Sequence, residues 1–216
     1  MLFRSLAERW QALKQPEFTI IETGFGTGLN FLSCAKLWLE TSALDYTLHF
    51  ISVEKYPLSM AEIFDALDLW PSLTVYKQAL LEQYPEVLNG KSVLLFDDRI
   101  RFTLLTGDAT EQLNRLSPSI TKADAWFLDG FAPSKNPEMW QPSLFQQMTR
   151  LSYSETTFAT FTSAGEVRRN LIAAGFTVQK RPGFGKKREM LVGIFDGMHV
   201  EMPAKTLAGQ HAKETT

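Results

Sequence analysis

Three glycines alternate with other residues directly after an apolar run, in IIETGFGTGLN over residues 20–30. Gly24, Gly26 and Gly28 have no Cβ, so the backbone can turn sharply there and approach a ligand closely. The helix predicted to follow begins with free N–H groups, which bind polar ligands. Glu22 adds a carboxylate to the same turn. These residue types at this spacing predict a binding site for a polar small molecule.

The spacing of the glycines distinguishes two classes of ligand. The dinucleotide fingerprint is G-x-G-x-x-G, whereas here the third glycine comes one residue early and residue 29 is Leu. An acid followed by x-G-x-G-x-G is the pattern of S-adenosyl-L-methionine methyltransferases, in which the acid lies near the methionine moiety. The alternative interpretation is a tight strand-to-helix turn that binds no ligand.

Acids also end three further strands that the apolar runs predict. Glu54 closes LHFISVE, where it is either a solvated strand end or an acceptor for both hydroxyls of a ribose. Asp108 follows LLTG, where it can meet an adenine amino group or cap the next helix. Asp129 ends ADAWFLD, so four acids are predicted at the edge where open sheets bind ligands. The predicted cofactor-binding residues are Glu22, Gly24, Phe25, Gly26, Gly28, Asn30, Glu54, Lys55, Asp108, Ala109 and Asp129.

The stretch WFLDGFAPSKNPEMW, residues 126–140, delivers Asp129 into a loop rich in aromatic residues. Methyl transfer is an in-line displacement, so the protein mainly positions two reactants and excludes water. An alkyl amine acceptor has a pKa near about 10, and a neighbouring carboxylate can orient its ammonium form and accept or relay the proton. We predict Asp129, Phe131 and Pro133 as the catalytic set, the last two forming a wall on which a flat base stacks. The alternative is that Asp129 caps the next element and Phe131 packs in the core.

Basic residues are concentrated near the end of the chain, in QKRPGFGKKREM over residues 179–190. Because the whole chain has a formal charge of -2, this local cluster indicates contacts with phosphates, while a solvated hairpin is the alternative. The predicted nucleic-acid contacts are Arg168, Arg169, Lys180, Arg181, Lys186, Lys187 and Arg188.

Strands and helices alternate along the chain, which predicts an α/β fold with a doubly wound, mostly parallel sheet. The spacing predicts helices over 29–40, 59–67 and 136–152, and another that Ser163 and Glu166 cap. FTVQKR and REMLVGIF predict an antiparallel hairpin at the end. We expect one domain over residues 1–196 and a disordered tail or linker over 197–216.

Composition excludes several other classes of protein. Cys34 is the single cysteine, so no disulfide within the chain is possible and a reducing cytoplasm is expected. The three histidines show no metal-ligand spacing, which predicts no metal site. No apolar run is long enough to cross a bilayer, and the first fifteen residues resemble an amphipathic helix rather than a signal peptide. No membrane partner is expected.

Four strings together resemble the methyltransferase half of the bifunctional MnmC family of tRNA-modifying proteins. They are ETGFGTGLNF, DAWFLDGFAPSKNPEMW, FATFTSAGEVRRNL and GFTVQKRPGFGKKREML, within about residues 18–195. The resemblance implies a class I, Rossmann-like methyltransferase that uses S-adenosyl-L-methionine on the wobble uridine of tRNA. The implied reaction converts 5-aminomethyl-2-thiouridine to its methylaminomethyl form, with Asp129 beside the reacting amine. The basic cluster becomes a candidate tRNA contact on the ground of its charge.

Two departures from the family pattern are expected to matter. Family members usually carry a longer N-terminal segment before the first motif, and we expect this chain to be a shortened form. They also continue into an FAD-dependent oxidase half, which would make the aminomethyl substrate. The chain has no second glycine fingerprint, so we expect it to bind no FAD and an oxidase half to accompany it in the full-length protein.

Two further functions stay open from the residues. One is another enzyme of the same fold that acts on a small amine, such as an aminopropyltransferase-like or small-molecule methyltransferase. The other is a non-catalytic RNA-binding module with a degenerate cofactor fold. A nicotinamide oxidoreductase is disfavoured because the glycine spacing is wrong.

Overall fold

The computed structural model describes residues 2–13, 15–183 and 189–197 of the 216-residue chain. The strands in these ranges are β1 (Glu17–Thr23), β2 (Thr47–Glu54), β3 (Val93–Leu95), β4 (Ile100–Thr106), β5 (Ala123–Leu128), β6 (Ser152–Thr160), β7 (Phe176–Pro182) and β8 (Glu189–Phe195). The α-helices are α1 (Leu2–Gln11), α2 (Leu29–Thr41), α3 (Met60–Leu67), α4 (Thr74–Leu88), α5 (Ala109–Arg115), α6 (Pro142–Arg150) and α7 (Gly165–Ala173). Short 3-10 helices cover Pro71–Leu73 and Pro137–Trp140.

The strands form one sheet in the order β3-β4-β2-β1-β5-β6-β8-β7. Strands β4, β2, β1, β5 and β6 pair in parallel, whereas β3 and β8 run antiparallel to their neighbours. Strands β2, β3 and β4 lie on one side of β1, and strands β5 to β8 lie on the other side. The strand order therefore reverses between β1 and β5. The carboxyl ends of the parallel strands share one edge of the sheet, here called the rim. The end of β7 and the start of β8 lie on the same edge, because β8 runs opposite to both β6 and β7.

Two apolar cores cover the two faces of the sheet. Side chains of α1, α2, α3 and α4 pack on one face, with aromatic rings such as Trp10, Trp38 and Phe50 fully buried. Side chains of α5, α6 and α7 pack on the other face around Trp126 and Phe145. Neighbouring residues of the central strands β1, β2 and β5 supply opposite cores, because successive side chains of a strand point to opposite faces of the sheet. The α/β class and the doubly wound, mostly parallel sheet with an antiparallel C-terminal hairpin are confirmed.

Two local predictions are wrong. The helix predicted over 136–152 is a 3-10 turn followed by α6, because Gln141 is extended (φ -74, ψ 154) before Pro142. A proline disfavours helical backbone in the residue before it, so the helix starts afresh at the proline. The predicted cap of α7 is also absent: its N-cap is Ala164, with no side-chain hydrogen bond. The predicted tail lies outside the described residues except for Gly197.

Candidate active site

A cavity of about 620 Å³ opens at the rim, between the loops that follow β1, β2, β4 and β5. It includes the point where the strand order reverses, which is where open α/β sheets bind ligands. Backbone hydrogen bonds draw these loops together: Gly24 N–H donates to Val53 O at 2.8 Å, and Gly107 N–H to Glu54 O at 2.9 Å. Of the predicted cofactor residues, the lining contains Gly24, Phe25, Gly26, Asn30, Glu54, Lys55, Asp108, Ala109 and Asp129.

The first two glycines of the loop have different surroundings. Gly24 has a φ of +82, and a Cβ built there would lie 2.8 Å from Gly130 Cα. The loop after β1 can therefore touch the loop after β5 only if residue 24 lacks a side chain. Gly26 has a φ of +53, and a Cβ there would have no atom within 4 Å. Its backbone thus faces open space at the cavity.

The third glycine is needed for packing and does not line the cavity. Gly28 is the N-cap of α2 with a φ of +78, and a Cβ there would lie 2.7 Å from the Phe25 ring. Phe25 is buried against Phe102 and Tyr84, yet part of it reaches the cavity lining. Gly28 therefore leaves room for the Phe25 ring to pack beneath the glycine loop.

Glu54 is held at the end of β2 by two backbone amides. Gly26 N–H donates to Oε2 at 3.1 Å, and Tyr56 N–H donates to Oε1 at 3.0 Å. A carboxylate accepts about four hydrogen bonds, so each oxygen retains acceptor capacity toward the cavity. Glu54 combines a fixed position with the ability to accept from a pair of hydroxyls.

Asp108 is the N-cap of α5, as the alternative interpretation predicted. Its Oδ1 accepts from the N–H groups of Thr110 at 3.0 Å and Glu111 at 3.3 Å. Asp108 and Ala109 still line the cavity. The helix start therefore presents a fixed carboxylate and the first turn of α5 to a ligand.

Glu22 lies beneath the cavity rather than in its lining. It is the penultimate residue of β1 and fully buried, so the prediction that the strand ends at this acid is wrong. Ser52 Oγ donates to Oε2 at 2.7 Å and Asn30 Nδ2 to Oε1 at 2.9 Å. The pKa of Glu22 is raised to about 8, mainly by burial; the hydrogen bonds from Ser52 and Asn30 oppose this shift, and the charge of Asp129 adds to it. Glu22 is therefore mainly in the acid form at neutral pH.

Asp129 lies on the other side of the Asn30 amide from Glu22, and it lines the cavity. Its Oδ1 accepts from Gly130 N–H at 2.8 Å, and its Oδ2 accepts from Asn30 Nδ2 at 2.8 Å. The main chain of Asp129 is tied to Thr23, whose carbonyl accepts its N–H at 3.1 Å and whose hydroxyl donates to its carbonyl at 3.2 Å. Main chain and side chain are both fixed, which suits a carboxylate that must meet a reacting group.

The loop after Asp129 differs from its prediction in one residue. Phe131 lines the cavity and 70% of it is exposed, while its carbonyl accepts from Trp140 Nε1 at 3.0 Å. Pro133 is partly buried and absent from the cavity lining. The exposed ring of Phe131 is thus available to a flat ligand, and the alternative interpretation, in which Phe131 packs in the core, is wrong.

Four residues that sequence reasoning missed complete this wall: Lys135, Asn136, Glu138 and Met139. Their stretch is SKNPEM, a polar interruption between two aromatic segments, and that interruption was the signal for a loop that returns over the site. Lys55 on the opposite wall lies 3.7 Å from Glu138, so an exposed ion pair spans the opening. The cavity wall is built from charged and amide side chains as well as the aromatic ring.

Four of the predicted nucleic-acid residues are described by the structure, and they lie outside the cavity, toward the other end of the rim. Arg168 and Arg169 are in the first half of α7, which starts just after β6. Lys180 forms an exposed ion pair with Glu189 at 2.8 Å, and Arg181 donates to Gln179 at 3.2 Å. Lys186, Lys187 and Arg188 lie outside the described residues.

Two classes of site find no support in the part of the chain that the structure describes. No group of His, Cys, Asp and Glu side chains there could hold a metal ion. None of the helices there is both long and apolar enough to span a bilayer.

A family model described as "S-adenosyl-L-methionine-dependent methyltransferase" matches residues 71–196, more than half of the chain. The chain belongs to this family. The matched region contains Asp108, the Asp129 loop and the C-terminal hairpin, although it begins after the glycine loop. The chain is thus an S-adenosyl-L-methionine-dependent methyltransferase, and the predicted cofactor is confirmed.

Two curated relatives of this methyltransferase carry the same name. The chain is 56% identical over 191 residues to "tRNA 5-methylaminomethyl-2-thiouridine biosynthesis bifunctional protein MnmC" of Methylobacillus flagellatus, covering 88% of the chain and 29% of the relative. It is 53% identical over 194 residues to the protein of that name from Pseudomonas aeruginosa, covering 89% and 29%. The methyltransferase therefore spans about three tenths of the length of these curated relatives. The resemblance to the methyltransferase half of the MnmC family is confirmed.

Solved structures show the same fold at low identity. The crystal structure of MnmC2 from Aquifex aeolicus matches with a TM-score of 0.66 and 24% identity, over 87% of this chain and 56% of that one. The spermidine synthase of Thermotoga maritima matches with a TM-score of 0.53 and 12% identity, over 92% and 60%. At these identities the likeness shows the fold alone.

Proposed function

We propose that this methyltransferase transfers a methyl group to the amine of 5-aminomethyl-2-thiouridine at the wobble position of tRNA. The relatives are named for the biosynthesis of 5-methylaminomethyl-2-thiouridine in tRNA. That nucleoside differs from the proposed substrate by one methyl group on the amine. The observation that carries the proposal is Asp129, a carboxylate fixed by two hydrogen bonds in the lining of the cavity.

The residues of the cavity fit the cofactor. S-Adenosyl-L-methionine supplies a methyl group on a positively charged sulfur when it is bound. A Cβ built on Gly26 would have no atom within 4 Å, so the backbone there leaves room for a ligand to approach. Glu54 would accept the ribose hydroxyls, and Asp108 with Ala109 would bind the adenine ring. The volume of about 620 Å³ lies within the range of small-molecule sites, roughly 300–1,000 Å³.

Asp129 is suited to an amine acceptor. An alkyl ammonium has a pKa near about 10 and must lose a proton before its nitrogen lone pair can form a bond to carbon. Each oxygen of Asp129 already accepts one hydrogen bond from the protein, which leaves acceptor capacity on both for N–H groups of the substrate. Asp129 can therefore orient the ammonium and accept its proton, while the enclosing loops exclude water.

An RNA substrate fits the outer part of the site better than a small free amine. The exposed ring of Phe131 stands at the cavity and offers a surface on which a base can stack. Arg168, Arg169 and Arg181 lie along the same rim, where their charges would meet backbone phosphates. We further propose that an FAD-dependent oxidase half in the full-length protein supplies the free amine. This chain itself is expected to use no FAD.

The deciding experiment gives the protein labelled S-adenosyl-L-methionine and tRNA that carries 5-aminomethyl-2-thiouridine. We expect label in one nucleoside, identified as the methylaminomethyl form after digestion and chromatography. The same tRNA without the aminomethyl group is the control and should stay unlabelled. Label in a small amine with no RNA present, and none in tRNA, would contradict the proposal.

A further inference from the structure

The Asn30 side chain joins two carboxyl groups that belong to different strands. Its amide nitrogen lies 2.9 Å from Glu22 Oε1 and 2.8 Å from Asp129 Oδ2. An amide nitrogen carries two hydrogens, so both are committed, one to each carboxyl group. If the amide were turned over, its oxygen would face the Asp129 carboxylate, and both hydrogen bonds that its nitrogen donates would be lost. The two acids therefore determine the orientation of Asn30.

The two ends of this bridge have opposite environments. Glu22 is fully buried and its other oxygen meets only Ser52 Oγ, at 2.7 Å. Asp129 lines the cavity, where a substrate can reach it. Glu22 cannot contact a ligand, yet it binds Asn30, and the same amide of Asn30 binds Asp129.

We propose that Asn30 is a positioning residue for Asp129 and that buried Glu22 is the anchor that orients Asn30. This inference rests on the proposed function, because it assigns Asn30 a part in the reaction at Asp129. Asn30 aims one N–H at Oδ2 while Gly130 aims its N–H at Oδ1. The carboxylate plane is thereby fixed relative to the cavity, and the remaining lone pairs point where an amine can approach.

The acid form of Glu22 makes this bridge favourable. Charged groups that face Glu22 are Asp129 and Glu54, both of which raise its pKa, and its neighbour Cys34 has a thiol pKa raised by burial and by Glu22. Ser52 Oγ donates to the charged form of Glu22 at Oε2, and in the acid form the two oxygens can exchange these roles across the same 2.7 Å, while Oε1 still accepts from Asn30. The bridge then contains one negative charge, on Asp129, rather than two that repel each other through the amide.

The first test compares variants at Asn30 and Glu22 in single-turnover methylation of aminomethyl-tRNA at pH 7. Asn30→Asp removes both donors and should lower the rate roughly 10- to 100-fold, the loss expected for a charge-assisted hydrogen bond. Glu22→Leu removes the acceptor that orients Asn30 and should lower the rate similarly. Glu22→Gln keeps an acceptor for Asn30 and a donor for Ser52, and should recover most of the rate that Glu22→Leu loses.

Two controls match these changes. Asn114→Asp adds the same charge at an exposed position of α5. Asp124→Asn neutralises another partly buried acid, whose carboxylate binds the Thr19 N–H at the opposite end of β5. Both should leave the rate within about 2-fold of wild type, as expected for sites without a reacting group. A rate for Asn30→Asp that equals the wild type overturns the inference. A loss confined to affinity for S-adenosyl-L-methionine also overturns it, because Asn30 would then act on the cofactor.

The second test needs no RNA and so separates this inference from the proposed function. The pKa of Glu22 is about 8 in the folded protein against 4.5 as its ordinary value. Its contribution to stability is therefore complete below about pH 4.5 and is lost as the pH rises toward about 8. Denaturant unfolding from pH 5 to 9 should show the wild type losing stability relative to Glu22→Gln as the pH rises. A constant difference overturns the acid form of Glu22, and with it the bridge that carries a single negative charge. If the difference appears but the wild type does not methylate tRNA, only the proposed function fails.

Discussion

The two ends of the rim hold charged residues in different ways. At the cavity end, Glu54, Asp108 and Asp129 each accept at least two hydrogen bonds from backbone N–H or amide groups. At the hairpin end, Lys180 pairs with an exposed glutamate, and Arg181 with the neighbouring Gln179. Hydrogen bonds fix the orientation of the carboxylates at the cavity end, whereas the cations at the hairpin end are solvated and can change their side-chain conformation.

This difference indicates two kinds of recognition. Fixed carboxylates position particular atoms, so one substitution there should change the reaction or the affinity for the cofactor strongly. Exposed cations attract phosphates collectively through a screened field, so one substitution there should have a small effect that depends on salt. The following predictions run from the largest expected effect to the smallest.

Asp129→Ala tests the cavity end most directly. Loss of a positioned proton acceptor should lower turnover on aminomethyl-tRNA by on the order of 100- to 10,000-fold. Affinity for S-adenosyl-L-methionine, measured by calorimetry, should stay within about 3-fold because Glu54 and the glycine loop are untouched. Turnover near that of the wild type would remove Asp129 from the reaction.

Gly24→Ala and Gly26→Ala form a matched pair within the glycine loop. The Cβ at residue 24 would lie 2.8 Å from Gly130 Cα, whereas at residue 26 no atom lies within 4 Å. Gly24→Ala should lower the free energy of unfolding by about 2–4 kcal/mol through overpacking and left-handed backbone. Gly26→Ala should lower it by about 1–2 kcal/mol, from backbone strain alone. Equal losses in denaturant unfolding would show that contact between the two loops is unimportant.

Glu54→Gln removes the charge that faces the cavity from β2. Affinity for S-adenosyl-L-methionine should fall roughly 10- to 100-fold, since charge-assisted hydrogen bonds are replaced by weaker ones. The control is Glu86→Gln, which breaks the exposed ion pair with Lys91 away from the cavity and should change affinity less than about 3-fold. Calorimetry on both variants decides, and similar affinities would refute a ribose-binding role for Glu54.

Replacing Arg168, Arg169 and Arg181 together by Gln tests the hairpin end. Affinity for tRNA should weaken several-fold, and the slope of log Kd against log salt should decrease by about one for each phosphate that these arginines neutralise. The turnover number at saturating tRNA should change little, because none of the three lines the cavity. An unchanged salt slope would mean that these arginines are ordinary solvated surface.

Lys180→Ala should have the smallest effect. Its ion pair with Glu189 leaves about half of each side chain exposed, so the free energy of unfolding should change by less than about 1 kcal/mol. Thermal or denaturant unfolding measures this directly. A larger loss would show that the hairpin end is more rigidly organised than its exposure indicates.

Much of the fold was predictable because its signals are local. The capping box of Ser59 and Glu62 at α3, the Asp108 cap of α5 and the alternating strands and helices all depend on neighbouring residues. The helix predicted over 136–152 failed because the restriction that Pro142 places on Gln141 outweighs the helical periodicity around it. The wall residues from Lys135 to Met139 were missed because a loop's path over a cavity depends on residues distant in sequence.

The sequence by itself determined the fold class, the glycine loop and the residues that come to the rim, since strand ends and turns follow from local residue types. Only the tertiary structure decided what those residues do there. Glu22 and Asp129 had the same status in the sequence, as acids near the ends of strands. In the structure one is sealed beneath the cavity and the other faces it, with Asn30 between them. Burial, and with it the raised pKa of Glu22, depends on how strands distant in sequence pack together, which no local pattern records.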